Sequence, residues 1–143
     1  MQQGESTKYK YIQLAENFYK EGNYSQAYKH VNKAMKIDPN YNRAHLLKAN
    51  IFETAVDSCV VKKENKLDYS DKLVLELAYL EFKNIKMDSI YSGIAKEKMD
   101  YIRPALRDPN EIGFGVYKDE VEPAGDCYKW IKEKLPTRPN WNR

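Results

Sequence analysis

The sequence predicts an all-α protein made of about three helical hairpins closed by a C-terminal capping helix. Three observations carry this. Residues 8–41 hold two amphipathic runs divided by a glycine turn and stopped by a proline. Part of that pattern recurs thirty-four residues further on. A further pair of helical runs with a short turn between them occupies residues 69–106. At 143 residues the chain is long enough for one real core and reads as a single domain, 1–143.

In the first hairpin, Tyr11, Leu14, Ala15 and Phe18 fall at i, i+3, i+4 and i+7, which makes one apolar stripe. Gly22-Asn23-Tyr24 forms the turn. Gly22 can take the positive φ that ends a helix, and Ser25 is a candidate cap for the next. Ala27, Val31 and Ala34 line the return helix, where the alanines permit close approach of its neighbour. Asp38-Pro39-Asn40 stops it, because a helix interior does not tolerate proline.

His45, Ala49 and Phe52 then occupy the places of Tyr11, Ala15 and Phe18, so residues 42–68 read as a degenerate second repeat with a loop. His45 reads as a packing residue, and Lys48 breaks the pattern where Leu14 stood. Either this helix runs on toward Val60-Val61, or residues 56–70 form an inserted connection. Ser70 is a good cap for the hairpin of 69–106, with Leu73, Leu77 and Leu80 on its first helix. Asp88 is a plausible cap for the return helix, which carries Ile90, Ile94, Ala95, Met99 and Ile102 before Pro104. Residues 107–125 mix Gly, Pro and acids without a helical period and read as an irregular loop. Asp126 opens the capping helix, 126–135, in which Cys127, Trp130, Ile131 and Leu135 share a face; 136–143 is a polar tail.

Residues 8–41 resemble one tetratricopeptide repeat (TPR), a helical hairpin of about 34 residues whose copies stack into a curved binding surface. The resemblance is partial over 42–55 and only architectural over 69–106. It implies a TPR-like right-handed stack whose first helices line a concave face, and a non-catalytic scaffold that binds a protein or peptide there within a larger assembly. The matching groove positions are Tyr9, Ile12, Glu16, Tyr19 and Lys20, followed by Arg43, Leu46, Asn50 and Glu53. The alternatives are a small TPR-type chaperone for exported proteins and a self-associating structural protein, a homo-oligomer. TPR domains that grip acidic chaperone tails set a Lys and an Asn where this chain has Ile12 and Glu16, an acid that would repel a carboxylate. In such stacks a terminal helix covers the exposed apolar edge; the alternative for 126–135 is that it fills the groove or is offered to a partner.

The composition excludes several other classes. The net charge of +3 is spread evenly, without the basic stripe of a nucleic-acid binder. No apolar run is long enough for a membrane span. The first residues lack the apolar core of a signal peptide, so the default expectation is cytoplasmic, with export open if a signal or anchor was trimmed. Cys59 and Cys127 have no CxxC spacing and read as buried free thiols, with one long-range disulfide as the alternative in an exported protein. No phosphate loop, HExxH or GxSxG occurs, and His30 reads as a packing or half-exposed residue. We therefore expect no enzyme, no cofactor and no metal.

Overall fold

The computed structural model describes residues 3–87, 89–110 and 119–143. Asp88, the expected cap, and the 111–118 portion of the expected irregular loop lie outside the described residues. Among the described residues the fold has five α-helices: α1 (Gln3–Lys20), α2 (Tyr24–Ile37), α3 (Asn42–Val61), α4 (Tyr69–Lys83) and α5 (Ser92–Ile102). A single 3-10 turn, Arg103–Ala105, extends α5. Two short strands, β1 (Glu120–Val121) and β2 (Leu135–Pro136), pair antiparallel with Val121 opposite Leu135.

The first hairpin forms as its residues dictate. Gly22 adopts φ 77°, and the Asn23 and Gly22 N–H groups donate to the Phe18 and Tyr19 carbonyls, satisfying the end of α1. The cap of α2 is Asn23 and not Ser25: its side chain accepts from the Gln26 N–H at 3.3 Å. Ala27, Val31 and Ala34 are fully buried against Ile12 and Ala15 of α1 and Ala44 and Ile51 of α3. Since α1 packs against both α2 and α3, its buried arc is wider than one stripe. Ile12, expected in a groove, therefore belongs to the core; moving such a side chain into water costs roughly 1.5–3 kcal/mol.

Of the two alternatives for the middle of the chain, the helix runs on: α3 continues to Val61. The turn after it carries Glu64 and Asn65 at φ 59° and 62°. The return helix that packs on α3 is α4, which also pairs with α5 as the expected third hairpin. Asp68, two residues before the expected Ser70, starts α4 in a reciprocal capping box. It accepts from the Asp71 N–H, and Asp71 Oδ2 accepts from the Asp68 N–H at 2.8 Å. Tyr91 precedes α5, and Ile90 and Ile94 of the expected apolar face are exposed while Ala95 and Ile102 are buried.

His45 is more than a packing residue. Its ring donates through Nδ1 to Glu81 Oε2 at 2.6 Å and through Nε2 to the Pro39 carbonyl at 2.8 Å. The Pro39 carbonyl can only accept, so Nε2 carries hydrogen, and an ionised Glu81 draws hydrogen onto Nδ1 as well, an arrangement that favours the imidazolium form. Lys48, the apparent flaw in the repeat, is buried beside the same carboxylate and bonds Glu133 at 2.9 Å. The hydrogen bond to Glu81 raises the His45 pKa above its ordinary 6.5. A raised folded-state pKa stabilises fully below 6.5 and is lost as pH climbs through the folded value. Wild type is expected to melt at lower temperature at about pH 9 than at about pH 6, and His45→Gln to lose most of that difference. Equal slopes in the two proteins would remove His45 as the titrating group.

The C-terminal segment is not a capping helix. Residues 126–130 form successive turns that lead into β2. Tyr128, Ile131 and Leu135 are buried, Cys127 and Trp130 half-buried, and the backbone bends so that side chains too close in sequence for one helical face all reach the core. Cys59 and Cys127 are joined in a disulfide, which corrects the free-thiol expectation. Trp130 lies against Tyr28 and Phe52, and the Tyr128 hydroxyl donates to buried Asp71, whose other oxygen pairs with Lys63. This strap crosses α2, α3 and α4. The tail is also tied down: the Trp141 ring meets Tyr79 edge-on, and its Nε1 donates to the Arg107 carbonyl at 2.8 Å.

Candidate functional site

The strap meets α3 through Lys48, Phe52 and Cys59, whereas Arg43, Leu46, Asn50, Glu53 and Asp57 run along the other side of that helix at helical spacing. This second side is flanked by α1 and α5. The Arg43 guanidinium pairs with Glu16 of α1. Tyr19 and Thr54 share a hydrogen bond of 2.7 Å between their hydroxyls. Glu53 Oε1 accepts from Lys98 Nζ of α5 at 2.7 Å. Three interhelical links of this kind hold α1, α3 and α5 side by side.

The residues expected to face a groove divide on this framework. Glu16 and Arg43 are brought together, although they engage each other. Asn50 and Leu46 are half-buried on the α3 stripe, Leu46 against the core. Tyr9 is exposed and meets Tyr41 edge-on, and Lys20 is exposed at the end of α1. Tyr19 is half-buried, and its hydroxyl ties α1 to α3, so its loss would report on packing as much as on binding. Ile12 is in the core, and Glu53 is buried beneath Lys98.

A cleft of about 520 Å³ lies beside the C-terminal halves of α3 and α5. Val56 and Val60 of α3, Leu75 of α4 and Ile102 of α5 line it, with Tyr101 and Val61 strongly exposed among its lining residues. Glu53 and Asp57, one helical turn apart, supply its acids. Glu53 is 9% exposed, and its Oε2 is buried without a hydrogen-bond partner among the described residues. Partial desolvation, and after it the charge of Glu53, push the Asp57 carboxyl above its ordinary range; Lys98 pulls it back. The hydrogen bond to Glu53 in turn raises the Lys98 ammonium.

Asp57 was within reach of sequence reasoning, since it continues the spacing of residues 43, 46, 50 and 53 by one turn. Lys98 and Tyr101 were not, because nothing local sets α5 beside the end of α3. Among the described residues no group of three His, Cys, Asp or Glu side chains could hold a metal ion, and no helix is long and apolar enough to cross a membrane. A second cleft, of about 740 Å³, lies between α2 and the strap and carries the opposite charge, with Lys29, Lys33, Lys36 and Lys132 around Tyr28 and Trp130. No family model, curated protein or solved structure matches this chain.

Proposed function

We propose that this protein is a non-catalytic scaffold that holds a peptide or protein along the face formed by α1, α3 and α5, as one part of a larger assembly. The observation that carries the reading is the continuous α3 stripe from Arg43 to Asp57. It is left uncovered by the strap, bordered by two helices and continued at one end by the 520 Å³ cleft. Helices tied by interhelical bonds offer a rigid platform, so little order is lost when an extended segment settles on it. The repeat-like hairpin of residues 8–41 points the same way. The Cys59–Cys127 bridge favours work in an oxidising compartment, where such bonds persist.

The test uses Tyr9→Ala/Asn50→Arg, which alters an exposed position of α1 and a half-buried position of the α3 stripe without touching the Tyr19–Thr54 hydrogen bond. With helical circular dichroism unchanged, the variant is expected to lose a partner that wild type captures from native extract. A partner held equally well by both proteins would place the binding surface elsewhere. Capture of nothing by wild type would remove the scaffold reading.

A further inference from the structure

The geometry points to the α3–α5 cleft as a receptor for a lysine or arginine side chain carried on a short apolar peptide segment, an inference that rests on the scaffold reading. Glu53 and Asp57 bring two carboxylates to a cleft where, among the described residues, Lys98 is the cation that pairs with them. Lys98 engages only Oε1 of Glu53. Oε2 is buried with no donor among the described residues, a costly state for a carboxylate oxygen and one that an incoming N–H would relieve.

An ammonium offers three donors and a guanidinium five, enough to reach Glu53 Oε2 and Asp57 together. The stem of such a side chain is aliphatic and suits the Val56, Val60 and Ile102 walls, while neighbouring apolar residues of the peptide can lie on exposed Tyr101. Other occupants fit less well. A neutral apolar segment would leave Oε2 unsatisfied, and an acidic one would meet two like charges. A hard metal ion wants more oxygen ligands than two carboxylates provide.

The experiment uses the full-length, oxidised protein and three fluorescently labelled, capped peptides of alternating leucine and a variable residue: lysine, norleucine or glutamate. Norleucine keeps the aliphatic stem and removes the charge. By fluorescence anisotropy the lysine peptide is expected to bind about tenfold or more tightly than the norleucine peptide, and the glutamate peptide least. Asp57→Asn, at an exposed position, is expected to leave folding intact and to reduce the lysine preference to about twofold or threefold. Glu53→Gln should reduce it further; if that variant does not fold, Asp57→Asn still decides. Equal binding of the lysine and norleucine peptides, or an undiminished preference in Asp57→Asn, overturns the inference. So does the absence of binding by any peptide, and in that case the stripe is still judged by the Tyr9→Ala/Asn50→Arg capture.

Discussion

Replacing Arg107 with methionine is expected to lower the free energy of unfolding by about 3–5 kcal/mol, because it strands a buried carboxylate. Glu76 on α4 is fully buried. Arg107 grips it in a two-pronged pair, with Nε on Oε1 and Nη2 on Oε2, each at 2.8 Å. Its remaining donors go to the Tyr69 hydroxyl at 2.9 Å and to the carbonyls of Thr137 and Pro136 at 2.9 and 3.0 Å. Every N–H of the guanidinium is therefore used, which a lysine could not reproduce. Denaturant unfolding of the oxidised protein is the measurement. Arg107→Met/Glu76→Leu should recover a good part of the loss, since no unpaired charge then remains inside. A single variant as stable as wild type would mean that the pair does not anchor the C-terminal segment.

Removing the bridge by Cys59→Ser/Cys127→Ser is expected to cost about 4 kcal/mol. That figure follows from the 68-residue separation the bridge closes in the unfolded chain. The effect also has a place in the folded protein. The bridge pins the strap on α3 next to Tyr128, Trp130 and Ile131, so without it the cover over Phe52 and Tyr28 should open more often. Thermal melting with and without reductant should show wild type falling to the level of the double serine variant, and limited proteolysis should cut the strap first. Identical melting of oxidised and reduced wild type would overturn the assignment of the bridge.

The first hairpin was legible because its determinants are local. Gly22 supplies the positive φ, Ala27, Val31 and Ala34 supply a narrow packing face, and Pro39 follows the end of α2. The stripe on α3 was legible for the same reason, down to Glu53. Cues failed where burial is set by two neighbours at once. Ile12 sits between α2 and α3, and Lys48 and His45 look out of place until Glu81 and Glu133 arrive from elsewhere in the chain. Residues 126–135 carry a helical period, yet a disulfide at Cys127, a hydrogen bond from Tyr128 to Asp71 and a strand pairing at Leu135 hold the segment in another course.

By itself, then, the sequence determined the all-α class, the first hairpin and the helical course of the α3 stripe, since each follows from the 3.6-residue period and from turn chemistry within a few residues. Only the tertiary structure decided the Cys59–Cys127 bridge, the Arg107–Glu76 anchor, the path of the strap and the meeting of Lys98 with Glu53. The bridge, the anchor and the Lys98–Glu53 pair join residues 31 to 68 positions apart, and the strap reaches back from Glu133 to Tyr28, 105 positions away. Their partners are chosen by which charges and thiols the packed helices bring within reach, and no local pattern encodes that choice.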